Sequence, residues 1–198
     1  MEIKGSAVTQ EQRSNWGRVA SGMACFLLLL GGVAIQQAVA GGATEAMKGT
    51  IDEVLKIVQD KELKQPGRAE ERRQRLEQVV GDRFDYPEMS RRALGAPWNT
   101  LSDKDKGEFV ALFRTLLVNS YADKIETYSG EGVQYINERT EKDYAEVRTK
   151  VLTGKTEIPL DYRLLNKGTD WRVYDVVVDG VSLVNNYRGQ FSKILRSS

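Results

Sequence analysis

Apolar residues recur every three or four positions through the first half of the chain, which predicts helices. A first apolar stripe runs from Ile51 to Val58, and Pro66-Gly67 separates it from a highly charged segment over residues 68–80. Residues 87–94 indicate a short helix, because proline suits the first helical turn and Gly95 follows the last apolar residue. The first half of the chain is therefore predicted to be helical.

The clearest helical pattern begins at Ser102, which with Asp105 resembles a capping box. Apolar residues then keep the helical period for about seven turns. The side chains of this stripe are Phe109, Leu112, Phe113, Leu116, Leu117, Tyr121, Ile125 and Tyr128. The pattern predicts one long helix with a wide and partly aromatic apolar face.

From Val133 onward the apolar period changes to two, which predicts strands. The alternation is weak over residues 133–137 and clear over 145–151 and 158–164, and a fourth strand spans 171–178. The fourth strand is apolar on both faces, so we expect it to be covered on both sides. A final helix is predicted from Leu183 to Leu195.

Helices followed by a meander indicate an α+β fold. We expect a helical N-terminal half packed on one face of a curved antiparallel β-meander, with a C-terminal helix. A bent sheet covered by helices forms a cone, which either fills its interior or keeps an apolar cavity for a ligand.

The N-terminus has the three parts of a secretory signal. Arg13 and Arg18 precede an apolar run over residues 23–35, and the small-residue site Ala38-Val39-Ala40 follows. We therefore predict a signal peptide over residues 1–40 and export of the protein.

Cleavage after Ala40 leaves a single domain over residues 41–198. The alternative is an uncleaved membrane anchor, because the uncharged stretch over residues 19–44 is long enough to span a bilayer.

Composition removes several classes of chemistry. The chain has no histidine, and Cys25 is its only cysteine. This excludes nucleophiles that rely on a histidine base, most metal sites and internal disulfides. The formal charge is +1, with 29 basic and 28 acidic residues, so nothing in the net charge attracts nucleic acid. We expect no cofactor and no enzymatic activity.

Two local motifs do not change this interpretation. Gly154-Lys155-Thr156 looks like the end of a phosphate-binding loop, but the position of the motif's first glycine holds Thr149. The basic clusters at residues 72–75 and 91–92 carry no interleaved aromatic residues, so we interpret them as solvated helix faces.

The C-terminal segment carries a specific motif. Trp171-Arg172-Val173-Tyr174-Asp175-Val176 is followed by Gly180-Val181-Ser182-Leu183-Val184-Asn185-Asn186-Tyr187-Arg188 and then Phe191. This resembles the MlaC family, also called the toluene-tolerance family. The Phe109–Tyr128 stretch, and Leu94-Gly95 with Trp98, are similar to further family patterns, so the resemblance covers about residues 50–195.

The resemblance implies a periplasmic carrier in a lipid-trafficking system that maintains outer-membrane asymmetry. Its partners would be phospholipid, an outer-membrane lipoprotein complex, and an inner-membrane ABC transporter with its substrate-binding ring. Such a carrier must offer a dry cavity, because moving an acyl chain of about sixteen carbons into water costs on the order of 12 kcal/mol. It needs no acid, base or metal.

The residues expected to contact lipid lie on the predicted inner faces of the long helix, the meander and the last helix. They are Leu112, Phe113, Leu116, Tyr121, Tyr128, Val147, Val151, Leu160, Tyr162, Val176 and Leu183, with Tyr187 and Arg188 at the mouth, where arginine suits a phosphate group. The alternative for each is an ordinary structural role, as a core residue or, for Tyr187 and Arg188, in packing and capping the last helix.

Two other functions remain open from the sequence. One is a carrier of a hopanoid-like polycyclic lipid. The other is an isomerase-like enzyme that uses a buried Asp175 with Tyr162 or Tyr174 as donors. Against the enzyme, we expect Asp175 to brace the turn at residues 180–182, and Ser182 to cap the last helix.

Overall fold

A computed structural model describes residues 42–126, 128, 132–154, 156–168 and 170–197. Residues 1–40, which carry the predicted signal peptide, lie outside the described part. In chain order the elements are α1 (Gly42–Gln59), α2 (Ala69–Arg83), α3 (Tyr86–Leu94), a 3-10 helix (Ala96–Thr100), α4 (Asp103–Glu126), β1 (Val133–Glu141), β2 (Tyr144–Thr153), β3 (Thr156–Asn166), β4 (Trp171–Val178), β5 (Val181–Ser182) and α5 (Leu183–Ser197). Of the helices described, none has both the length and the apolar character needed to cross a bilayer.

The strands form one antiparallel sheet in the order β1-β2-β3-β4-β5, which confirms the predicted α+β meander. The weakly alternating segment after Val133 is a nine-residue strand, with a register shift between Tyr135 and Asn137. Because a bulge bends a strand and re-aims its side chains, this shift explains the irregular alternation in the sequence. The two-residue strand β5, which pairs Ser182 with Val177, was not predicted.

Helix α1 covers one face of the meander, which we call the inner face. Val147 on this face is fully buried, whereas its neighbour Arg148 on the opposite, outer face is exposed. Ala43 and Met47 of α1 pack into the same apolar cluster as Val147 and Tyr162. The strand faces assigned from alternation are therefore confirmed.

A carboxylate on β1 holds the start of α1. Glu138 accepts hydrogen bonds from the backbone N–H of Thr44 at 2.8 Å and from the Thr44 hydroxyl at 2.5 Å. The first N–H groups of a helix have no partner within the helix, and an acidic group there also complements the helix dipole. This contact fixes the N-terminus of α1 against the edge strand β1.

The junction between α2 and α3 is attached to β4. The Arg83 guanidinium donates to the Thr50 hydroxyl at 2.9 Å, and to the Asp170 carboxylate and the Trp171 carbonyl at 2.6 Å each. Phe84, the next residue, packs against both apolar clusters of the domain. One short segment thus ties α1, α2 and β4 together.

The longest helix, α4, packs mainly against α3 and α2 rather than on the strands. Its N-terminus has the predicted cap, because the Asp105 N–H donates to the Ser102 hydroxyl at 3.2 Å. Phe113 and Leu117 of α4 are buried with residues of α3 and α5. The inner face of the meander is therefore covered by α1. The long helix α4, which we expected to stack on the sheet, makes its main contacts with other helices.

Asp175 braces the connection from β4 to α5, as expected. The side chain is 3 % exposed, and it accepts hydrogen bonds from the Ser182 hydroxyl at 2.7 Å, the Val184 N–H at 3.0 Å and the Arg163 guanidinium at 3.1 Å. Ser182 in turn accepts from the Asn185 N–H at 3.1 Å, which confirms its role as the N-cap of α5.

We predict that Asp175→Asn lowers the free energy of unfolding by about 1.5–3 kcal/mol, because hydrogen bonds to a charged group are lost in a buried site. Thermal unfolding followed by circular dichroism should show a melting temperature lower by several degrees. Asp161→Asn, at a half-buried position on the neighbouring strand β3, is the matched control and should melt like the parent protein. Equal melting temperatures for both variants would contradict the bracing role.

Candidate functional site

The inner face of the sheet forms the first apolar cluster, which consists of aliphatic and aromatic side chains. Val147, Tyr162 and Val176 lie side by side across β2, β3 and β4 in one row of this face. All three are buried beneath α1. Three of the residues predicted to contact lipid are thus brought together in one dry layer.

Burial is less complete for several side chains in the next rows of the inner face, although Thr149 in the same region is 1 % exposed. Leu160 and Val178 are partly buried at the margin of the cluster, and Val151 of β2 is half-buried. The pairing Val133–Val151–Ile158 continues the apolar surface to the end of the strands. This end of the inner face therefore offers apolar surface that the protein itself covers only in part.

Three tyrosines lie near this end of the inner face. Burial, helped by the carboxylates of Asp52 and Glu45, raises the pKa of Tyr135 to about 12. Burial also raises the pKa of Tyr162, and the nearby Tyr135 and Tyr128 hydroxyls raise it further. Both hydroxyls are neutral at ordinary pH, so each is able to donate and to accept a hydrogen bond.

Tyr128 closes the connection from α4 to β1. Its hydroxyl donates to the Gly132 carbonyl at 2.8 Å and accepts from the Gly132 N–H at 2.9 Å. Tyr128 was predicted from the periodicity of the long helix, but α4 ends at Glu126. The side chain therefore approaches the sheet from a connecting segment and not from a helix face.

A second apolar cluster lies among α3, α4 and α5. The Phe113 ring is 5.2 Å from the Tyr187 ring and 5.7 Å from the Phe191 ring, in edge-to-face contacts that suit aromatic pairs. Leu183 is buried in this cluster, and Tyr121 packs against it. Four predicted lipid contacts, Phe113, Tyr121, Leu183 and Tyr187, thus lie between helices rather than on the inner face of the sheet.

Two of the predicted contacts point away from both clusters. Leu112 is 63 % exposed and Leu116 is 40 % exposed on α4. Leu112 lines an open apolar groove of about 470 Å³ together with Phe109, Phe191 and Ile194. The helical period alone could not separate this outer stripe from the buried one, because α4 is apolar over a wide arc.

Arg188 lies in a polar cleft of about 490 Å³ between α3, the 3-10 helix and α5. Its guanidinium sits over Gly95, where an added Cβ atom would be 3.3 Å from Nε. Arg163 lines the same cleft from β3, on the face opposite Tyr162. Arg188 therefore lies apart from the predicted lipid contacts on the inner face of the sheet. It also lies apart from Tyr187, which packs against the second apolar cluster.

The arrangement of Asp175 argues against the isomerase hypothesis. Tyr162 faces the inner cluster, whereas Asp175 faces the outer side with Arg163, so these two groups do not converge. The adjacent Tyr174 is covered by the Arg92 guanidinium at 4.0 Å from the ring centroid. Both oxygens of the Asp175 carboxylate already accept hydrogen bonds from the protein.

Two residues of the inner face are absent from the predicted lipid contacts. Tyr135 lies in the weakly alternating segment, where its alternation with Gln134 and Ile136 is the available signal. Thr149 alternates on the same face as Val147 and Val151; it is 1 % exposed, and its hydroxyl donates to the Leu160 carbonyl.

Comparisons with known proteins agree with this architecture. The intermembrane phospholipid transport system binding protein MlaC of Haemophilus influenzae is 25 % identical over 101 residues, which are 48 % of this chain and 47 % of that protein. The chain thus spans about half the length of this curated relative.

A solved structure, the phospholipid-binding protein from Ralstonia solanacearum in complex with a phospholipid, is similar with a TM-score of 0.71 and 25 % identity. The match covers 78 % of this chain and 88 % of that chain. The family model described as MlaC protein matches residues 48–198. Since this match includes all the helices and strands described here apart from the first turns of α1, the chain belongs to the MlaC protein family.

Proposed function

We propose that this protein is a periplasmic carrier that binds the acyl chains of phospholipid against the inner face of its sheet. The observation that carries the proposal is the partly covered apolar surface around Val151, Leu160 and Val178, next to a dry cluster of aliphatic and aromatic side chains. The fold is shared with a protein solved in complex with a phospholipid, which supports the same class of ligand.

The physical requirement on such a carrier is a dry compartment. Each methylene of an acyl chain costs about 0.8 kcal/mol to expose to water, so a carrier must replace water along most of the chain. The partly buried apolar margin of the inner face, which continues from a buried layer, supports this assignment. No catalytic group is needed, and the proposed role is not enzymatic.

The proposed partners are an outer-membrane lipoprotein complex and an inner-membrane ABC transporter with its substrate-binding ring. This proposal is supported by the similarity to the Haemophilus relative, which is a binding protein of an intermembrane phospholipid transport system. The carrier would move lipid between the two membranes through the periplasm.

We predict that the protein purified from the periplasm carries a glycerophospholipid with ester-linked acyl chains. Organic extraction followed by mass spectrometry identifies the co-purifying lipid. If the extract instead contains a hopanoid-like polycyclic lipid, the protein is still a lipid carrier, but its ligand is not a phospholipid. An extract without lipid, from protein that also fails to take up added phospholipid, would contradict the carrier proposal.

We predict that Leu160→Trp blocks phospholipid binding without lowering the melting temperature. The indole would occupy the partly covered margin of the inner face, where the acyl chain is proposed to lie. Binding measured by displacement of a fluorescent fatty acid should fall at least about tenfold, which corresponds to about 1.4 kcal/mol.

Two matched tryptophan variants control this experiment. Val147→Trp enters the fully buried layer and should lower stability by about 1–3 kcal/mol, because overpacking a filled core is unfavourable. Arg148→Trp lies on the outer face and should change neither property. If Leu160→Trp retains full binding, the inner face is not the lipid compartment.

We predict that export removes residues 1–40, so that N-terminal sequencing of periplasmic material begins at Gly41. Helix α1 starts at Gly42 and Ala43 is fully buried, so cleavage after Ala40 leaves the folded domain whole. Replacing Ala38 and Ala40 by leucine should block processing, since the peptidase requires small residues there. An intact Met1 on membrane-bound parent protein would contradict the prediction.

A further inference from the structure

The hydroxyl of Tyr135 is buried without a hydrogen-bond partner among the described residues. Buried polar groups in proteins are almost always paired, and an unpaired one lowers stability unless something else satisfies it. Tyr135 is on β1, where it faces Thr149 of β2 in the sheet register. The unpaired hydroxyl therefore belongs to a partly buried side chain at the margin of the inner apolar cluster.

Three hydroxyls near Tyr135 do have acceptors. Thr149 donates to the Leu160 carbonyl, Thr50 donates to the Ala46 carbonyl, and Tyr128 donates to the Gly132 carbonyl. Among the described residues, the hydroxyls of Ser90 and Tyr135 are buried without a partner, and of these two only Tyr135 packs against the inner apolar cluster. The Tyr135 hydroxyl is therefore a donor that the described part of the protein leaves unused.

The surroundings of this donor define the acceptor that suits it. The hydroxyl is neutral at ordinary pH, since burial raises the pKa of Tyr135 further, to about 12, and the side chain packs against the inner apolar cluster. Lys48 lies over the Tyr135 ring at 5.6 Å and is paired with Glu45 at 2.8 Å. Because the Lys48 ammonium is already paired with a carboxylate, this neutral donor suits an uncharged acceptor.

We propose that the Tyr135 hydroxyl donates a hydrogen bond to an ester carbonyl oxygen of the bound glycerolipid. The inference rests on the proposed lipid-carrier function and deepens it, because it names the chemical group that the carrier recognises. An ester carbonyl is the first polar atom beyond an acyl chain and can only accept hydrogen bonds. Tyr135 thereby selects ester-linked lipids over ether-linked ones, which lack this acceptor.

The test compares a diacyl phosphatidylethanolamine with its dialkyl ether analogue of the same chain length. The parent protein should bind the ester lipid roughly three- to tenfold more tightly than the ether lipid, which is the range expected for one hydrogen bond. Tyr135→Phe should bind both lipids with the affinity that the parent has for the ether lipid. Its lipid-free melting temperature should be unchanged or higher, because phenylalanine leaves no unpaired hydroxyl.

Thr50→Val is the matched control. It removes a hydroxyl that the protein itself pairs with the Ala46 carbonyl and the Arg83 guanidinium, so it should lower the melting temperature and keep the preference for the ester lipid. A parent protein that binds the two lipids equally, or a Tyr135→Phe variant that keeps the preference, would overturn the inference while leaving the carrier function in place. A parent protein that binds neither lipid would overturn the carrier function itself.

Discussion

Burial of strand β4 on both faces is the constraint from which the helices take their positions. Val173 and Val176 face the inner cluster, and Asp175 and Val177 are buried on the other side. A strand of this kind cannot leave either face to water, so helices must cover both. The inner side is covered by α1, and the outer side is reached by α3 and α5. Phe84 packs against both clusters and links the two sides.

Cover of the inner face is uneven along the strands, and this unevenness is what a carrier requires. Protein interiors are normally packed as densely as organic crystals, so a solid core leaves no room for an acyl chain. Here the layer around Val147 is filled by α1, while the surface from Leu160 toward Val151 is covered only in part. Stability is obtained from the filled layer and from the aromatic cluster among the helices. The partly covered margin remains available to a ligand.

Buried polar groups divide in the same way between structure and recognition. Asp175 is surrounded by donors from β3 and from the start of α5, so its charge is used to fix the helix that follows β4. Tyr135 has no such partner among the described residues. A buried carboxylate and a buried hydroxyl look alike as candidate functional groups in a sequence. Their hydrogen-bond partners show that the first belongs to the framework, whereas the second is left unpaired and is the group for which we propose a lipid acceptor.

The sequence by itself determined the main helices and the four long strands, the antiparallel meander, the inner face at Val147 and the family. These follow from local periodicity, turn chemistry and one long C-terminal motif, all of which depend on residues close together in the chain. Only the tertiary structure decided which apolar residues share a compartment. Phe113 and Val147 were both predicted to contact lipid, yet they lie in different clusters, and Leu112 is exposed beside a buried Phe113. The physical reason is that periodicity gives the direction of a side chain from its own element, whereas the neighbour it meets depends on how distant elements pack.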